Sequence, residues 1–156
     1  MTLAYILHDA GWATAIIEHD GNRREMVASY LTDAVRRMLE AAVGLMRGTG
    51  TVRFGFTDET GEHECVVTQI GPGEVNITVY WYKDWTPPGR DTGEVVFFCN
   101  CSAIQLCEAI FVTCKRLLDE HGEEGYKSKW LKDEFPTETF ERLSCLLYPP
   151  PRPNTA

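Results

Sequence analysis

Side chains alternate in character along residues 74–83 (EVNITVYWYK), and this alternation constrains the fold more than any other feature of the sequence. The apolar positions recur at every second residue: Val75, Ile77, Val79 and Trp81. Because successive side chains point to opposite faces of a strand, this period of two predicts a β-strand whose apolar residues face a core. The opposite face is polar at first and ends in two tyrosines, Tyr80 and Tyr82.

The loop after this strand, residues 84–93 (DWTPPGRDTG), adds Trp85 to the same end of the predicted sheet. We therefore expect Tyr80, Tyr82 and Trp85 to lie close together. Aromatic side chains offer large contact areas and are enriched at binding hot spots. The sequence thus predicts a partner-binding surface made of these three residues. The alternative is that Tyr80 and Tyr82 pack beneath a helix or the C-terminal segment.

The chain is acidic: 15 lysines and arginines stand against 23 aspartates and glutamates, a net charge of −8 with neutral histidines. Such a surface repels a nucleic-acid backbone, and the adjacent basic residues form isolated pairs rather than a stripe. We therefore predict no nucleic-acid partner and favour a basic protein as the partner.

Nothing in the sequence resembles a targeting or membrane segment. Residues 1–7 have no basic start, and Asp9 interrupts their apolar run. No apolar run approaches the roughly 18 residues of a membrane span. We therefore predict a cytoplasmic protein without membrane association.

The chain has six cysteines: Cys65, Cys99, Cys101, Cys107, Cys114 and Cys145. In a reducing compartment they should be free thiols. Cys107 and Cys114 are seven residues apart on one apolar helix face, so we expect them in the core. Cys99 and Cys101 share one face at the end of a predicted strand, but a zinc site needs a second pair of ligands, and none is evident. We predict no metal and no cofactor.

Sequence motifs of familiar catalytic chemistry are missing: the chain has no G-x-S-x-G, H-E-x-x-H, G-x-G-x-x-G or phosphate-binding glycine loop. His63 and Cys65 share a strand face, but a nucleophile and its base usually come from different elements and need a third, orienting group. Half-exposed positions on a strand account for both residues without a catalytic role. We assign no catalytic residue and favour a protein that is not an enzyme.

Alternation and turn residues predict six strands joined in hairpin order, at residues 12–18, 23–29, 51–57, 63–70, 74–83 and 94–100. Apolar spacings of three and four predict two long helices and a short C-terminal helix, at about residues 30–47, 103–121 and 137–147. Ser29 or Thr32 is expected to cap the first helix and Ser102 the second. Asp20-Gly21 marks a hairpin turn between the first two strands.

These elements predict a single α+β domain over residues 1–148, followed by a proline-rich extended tail at residues 149–156. Its antiparallel sheet has about six strands, and the three helices pack mainly on one face. Phe97 and Phe98 are adjacent and point to opposite faces of their strand, so part of the second face must also be apolar. That sheet either curls on itself or binds something with its outer face.

Four segments together resemble small uncharacterised α+β proteins of actinobacteria and related bacteria: residues 11–13 (GWA), 29–34 (SYLTDA), 58–62 (DETGE) and the strand that ends in aromatics. The resemblance covers residue 11 to about residue 147. More loosely, the chain is similar to the acidic α+β immunity proteins found beside polymorphic toxins. Both resemblances imply an α+β fold and a bacterial cytosolic setting, and neither carries over a functional residue.

Three functions remain open on the sequence. The first is a non-enzymatic acidic module that binds a basic protein, of which an immunity-type inhibitor is one form. The second is a small-molecule-binding or enzymatic domain, which needs a pocket on the sheet with convergent polar groups. The third is a structural homodimer that associates through an aromatic sheet face.

We predict that all six cysteines are reduced in the native protein. Alkylation of unfolded protein that has not been treated with a reductant should then add six labels, as read by mass. Four labels would reveal a disulfide and contradict the cytoplasmic assignment. The same measurement after reduction provides the control for complete labelling.

Overall fold

The computed structural model describes residues 1–84 and 93–152 of the chain. The first sheet has the strand order β1-β2-β3 and contains β1 (Thr2–Leu7), β2 (Trp12–His19) and β3 (Asn22–Ser29). The second has the order β4-β5-β6-β7 and contains β4 (Thr51–Thr57), β5 (Glu62–Gly71), β6 (Glu74–Tyr82) and β7 (Glu94–Ser102). The helices are α1 (Ala34–Met46), α2 (Ala103–Trp130) and α3 (Thr137–Leu147).

The α+β class and the antiparallel pairing are confirmed, but the single sheet of about six strands is wrong. The described residues form seven strands in two sheets of three and four. The additional strand is β1, whose alternate residues Leu3, Tyr5 and Leu7 are buried. Helix α1 lies between β3 and β4 in the chain, so these strands are free to belong to different sheets.

The β2–β3 hairpin turns at Asp20-Gly21, as predicted. His19 pairs with Asn22, and the two turn residues have φ values of 48° and 81°. Two positive φ values at the centre of a two-residue loop match the twist of the flanking strands, and glycine adopts the second without strain.

Strand β3 joins the two sheets by crossing one end of the second. At the C-terminal end of β3, the Ser29 hydroxyl donates to the carbonyl oxygen of Thr57 in β4 at 2.7 Å. Further back along β3, Arg24 contacts His63 of β5. Asn22, where β3 begins, lies beside residues 95–98 of β7. The inner faces of both sheets therefore enclose one continuous core.

The helices cover both sheets, which corrects the expectation that they pack on one face of one sheet. Helix α1 lies against β4, and α2 lies against β1 and α1. The backbone N–H of Tyr5 in β1 donates to the Thr113 hydroxyl of α2 at 2.9 Å. This bond occupies a peptide donor on the free edge of the first sheet.

Helix α2 begins as predicted but continues nine residues beyond its expected end at His121. Ser102 and Gln105 form a reciprocal capping box at its start. Gly122 interrupts the helix with φ 67° and ψ 175°. The turns after this break carry Tyr126 and Trp130, both fully buried, and the ring centres of Trp130 and Tyr5 are 6.2 Å apart.

The cap of α1 differs from the expectation. Asp33 is the N-cap residue, and its carboxylate accepts from the backbone N–H of Arg36 at 3.2 Å. Ser29 is unavailable because it bonds to the second sheet. Helix α3 spans Thr137–Leu147 as predicted.

The predicted tail lies partly within the described residues. Residues 149–152 are exposed and belong to no helix or strand, and residues 153–156 lie outside the described part. Within residues 1–84 and 93–152, no helix has the length and apolar character needed to cross a membrane. All six cysteines are free, and Cys107 and Cys114 are buried as their spacing predicted.

We expect Gly11→Ala to destabilise the protein more than Gly21→Ala. Both glycines have positive φ, so both substitutions introduce backbone strain. A Cβ at Gly11 would also lie 2.5 Å from Cδ1 of Tyr30, whereas one at Gly21 meets nothing within 4 Å. The added clash should lower the free energy of unfolding by a further ~1–3 kcal/mol, as measured by urea denaturation. Equal losses would contradict the close packing of Tyr30 on Gly11.

Candidate functional site

The outer face of the second sheet exposes two large apolar side chains, Val95 and Phe98 of β7. Each has an exposed fraction of 55%. Phe98 pairs with Thr78 of β6, which pairs in turn with Val66 of β5. Tyr80 lies two residues along β6 on the same face and pairs with Val95. We call Val66, Tyr80, Val95 and Phe98 the outer patch.

An irregularity in the pairing of β6 and β7 creates this patch. Val79 pairs with Phe97, but the next residue, Tyr80, pairs with Val95, so Val96 is the extra residue of a β-bulge. Strict alternation from the buried Phe97 would have turned Val95 into the core. The bulge instead places Val95 opposite Tyr80 on the outer face. Sequence periodicity could not reveal this, although the adjacent Phe97 and Phe98 indicated that some apolar surface faces outward.

Of the three residues predicted to bind a partner, the structure brings two together. Tyr80 is half-buried on the outer face, and its ring centre is 6.3 Å from that of Tyr82. Tyr82 is only 3% exposed, and its hydroxyl donates to a Glu64 carboxylate oxygen at 3.3 Å. Gly93 lies against the Tyr82 ring, because a Cβ there would approach it to 2.7 Å. Trp85 lies outside the described residues.

Carboxylates border the outer patch. Glu64 pairs with Tyr80 across the strands and forms an ion pair with Arg53 at 3.1 Å. Glu62 lies on the same face of β5, and partial burial, followed by the nearby Glu64 charge, raises its pKa. The Glu62 carboxylate is therefore partly removed from solvent and has another acidic side chain beside it.

A cleft adjoins the patch where the β2–β3 hairpin meets β7. Its volume is about 350 Å³, and it is lined by Asn22, Arg23 and residues 95–98. Arg23 forms an exposed ion pair with Glu25 at 3.2 Å. The patch and the cleft together make one surface with an apolar centre and a charged rim, which is the usual composition of a protein-binding site.

His63 and Cys65 lie on the inner face of β5, and both are buried, which corrects the expectation of half-exposed positions. Burial raises the pKa of the Cys65 thiol, so this residue stays protonated near neutral pH and is a poor nucleophile. The His63 ring packs on Trp81 with 4.6 Å between ring centres. Trp81 shares this inner face as predicted, although it is half-buried rather than fully in the core.

Arg24 approaches His63 from the other sheet. Its guanidinium lies 3.2 Å from His63 Nε2, which accepts the hydrogen bond when the ring is neutral. Burial, and then the Arg24 charge, lower the pKa of His63 to about 4. Nδ1 of His63 is buried without a hydrogen-bond partner among the described residues. The ring thus acts as a neutral contact between the sheets.

Comparison of the chain with protein-family models, with curated proteins and with solved structures finds no match.

We expect stability to fall as the pH is lowered from about 6.5 to about 4, because the unfolded chain protonates His63 in this range and the folded protein does not. Below about pH 4 this contribution becomes constant. His63→Gln should flatten that part of the profile of unfolding free energy against pH, as measured by urea denaturation. The exposed His8 offers a control, since His8→Gln leaves the contribution of His63 in place. An unchanged profile in His63→Gln would contradict the assignment.

Proposed function

We propose that this protein is a non-enzymatic binding module whose outer patch docks on a basic protein. The observation that carries the proposal is the exposure of Val95 and Phe98 beside Tyr80 on one sheet face. Large apolar side chains that cluster on a surface favour a contact site, whereas single exposed apolar residues are ordinary. We propose that it acts in the cytoplasm as a single α+β domain with an extended tail.

Charge supports a basic partner. The net charge of −8 would steer a positively charged protein toward this chain and speed its encounter. Glu62 stands beside the patch and offers a local carboxylate to lysine or arginine side chains of the partner, next to Glu64, which is already paired with Arg53. An inhibitor that covers the basic active site of a toxin would use such a combination of apolar centre and acidic rim.

In the proposed binding surface, Tyr82 positions its neighbours rather than contacting the partner. Its ring lies beside that of Tyr80 and against Gly93, and its hydroxyl donates a hydrogen bond to Glu64. Tyr82 would therefore hold Tyr80 and Glu64 in place, while Tyr80 makes the contact. Trp85, which lies outside the described residues, stays a predicted member of the binding surface.

The burial of His63 and Cys65 supports a role outside catalysis. His63 is held neutral between the two sheets, and the Cys65 thiol has a raised pKa in the core. A general base or nucleophile has to reach its substrate in the reactive protonation state. Neither residue meets that requirement.

Removing Phe98 from the patch should weaken partner binding. We expect Phe98→Ser to reduce affinity at least tenfold, because truncation of an aromatic hot spot typically costs about 2 kcal/mol or more. Val112→Ser on α2 is the matched control, since Val112 is 52% exposed on a different surface. The partner would be captured from the host with wild-type protein, identified, and titrated against each purified variant at two salt concentrations.

The proposal requires the captured partner to be basic and its affinity to fall with salt. A folded Phe98→Ser variant with unchanged affinity would show that the outer patch is not the contact. Sedimentation of the purified protein tests the homodimer: a wild-type dimer that Phe98→Ser dissociates would assign the patch to self-association instead.

A further inference from the structure

Strand β7 is the last strand of the second sheet and pairs on one side only. Among residues 1–84 and 93–152, its ladder of backbone hydrogen bonds joins it to β6 alone. A free strand edge presents a row of peptide N–H and C=O groups with which a further strand can pair. The backbone of β7 therefore has hydrogen-bonding groups to offer to another chain.

The structure covers two other edge strands but leaves β7 without the usual protection. On β1, the Tyr5 N–H donates to the Thr113 hydroxyl at 2.9 Å, and α1 lies against β4. Lysine or proline often blocks an exposed edge. Strand β7 contains neither, and its single charged residue is Glu94 at its start. The bulge at Val96 also lies near the start, so residues 97–101 keep a regular edge.

The cleft beside the outer patch lies along this free edge. Its volume is about 350 Å³, and residues 95–98 line it. Phe97 and Phe98 point to opposite faces of the sheet, since the first is buried and the second is exposed. A cavity that touches both neighbours has to lie at the strand edge, between the two faces. Because β6 occupies one edge, the cleft opens on the other.

The other wall of the cleft is polar. It consists of Asn22 and Arg23, at the start of β3. An asparagine side chain has both donors and an acceptor, and a guanidinium has donors only. Both side chains can bond to the peptide groups on the far side of a strand that is paired with β7. The cleft thus offers hydrogen bonds to both edges of an extended peptide backbone.

Carboxylates border the free edge. Glu94 begins β7, Glu74 of β6 stands opposite the last residue of β7, and Asp20 lies in the β2–β3 turn. The Arg23 guanidinium in the cleft is paired with Glu25 at 3.2 Å. Negative charge therefore prevails around this edge and complements lysine or arginine side chains on the peptide that pairs there.

We propose that an extended basic segment of the partner adds to β7 as a fifth strand of the second sheet. This inference rests on the proposed function and specifies how the partner is held. On one face of the added strand, every second side chain would lie beside Val95 and Phe98, so apolar residues are expected there. Main-chain hydrogen bonds would supply affinity, and the outer patch would select these alternate side chains.

The test is residue-resolved amide hydrogen exchange, measured by NMR on the full-length protein alone and in complex with the captured partner. In an edge strand, every second residue directs its N–H group to the neighbouring strand, and the residues between direct theirs outward. Within residues 97–101, strand addition should slow exchange of the outward set at least about tenfold. The set that already bonds to β6 should change little.

Arg23→Ala gives a second readout. We expect it to weaken partner binding about tenfold, because it removes charged donors that face the added strand. Arg142→Ala on α3 is the matched control, since each arginine is exposed and forms an ion pair with a glutamate. The control should bind the partner with unchanged affinity.

Two results would overturn strand addition and leave the proposed function intact. One is a loss of affinity in Phe98→Ser without any change of exchange in β7, and the other is equal slowing of consecutive amides, which indicates docking on the sheet face. Unchanged affinity of Phe98→Ser without alternating protection would reject both proposals. Alternating protection in a dimer of the protein alone would identify a second copy as the added strand and so contradict a basic partner segment.

Discussion

The rest of the structure depends on the contact that β3 makes across one end of the second sheet. Neither sheet can bury its inner face alone, because each has apolar residues at alternate positions that need a covering layer. The Ser29–Thr57 hydrogen bond and the Arg24–His63 contact fix the position of one sheet relative to the other. Helices α1 and α2 cover the part of the core that the two joined sheets leave open. The break in α2 at Gly122 directs Trp130 into this core.

Among residues 1–84 and 93–152, the same arrangement leaves the outer face of the second sheet without a covering helix. Helix α1 lies along β4 and α2 lies along β1, so the outer face of the second sheet keeps its own side chains at the surface. The bulge in β7 adds Val95 to Phe98 there. A surface with two exposed apolar residues would ordinarily favour aggregation at a sheet edge. Under the proposed function, the acidic residues beside it and the net charge of −8 would oppose self-association and favour a basic partner.

Burial changes the pKa of the histidine and cysteine side chains in this protein and so decides which of them stay neutral. Burial, and then the facing Arg24 guanidinium, lower the pKa of His63, so its ring is neutral near neutral pH. Isolated thiols such as Cys65 and Cys114 are desolvated, which raises their pKa and suppresses their reactivity. The pKa of Cys101 is lowered instead, and the neighbouring Cys99 is the largest cause.

Local features of this protein could be derived from its sequence, and features that join distant segments could not. Six of the strands, the Asp20-Gly21 turn, the Ser102 cap and the last helix follow from periodicity and turn chemistry, which operate within a few residues. The division into two sheets, the outward turn of Val95 and the burial of Tyr82 and His63 depend on which strand pairs with which, and at what register. Alternation is the same in either register, so only the packing of the whole chain decides these contacts.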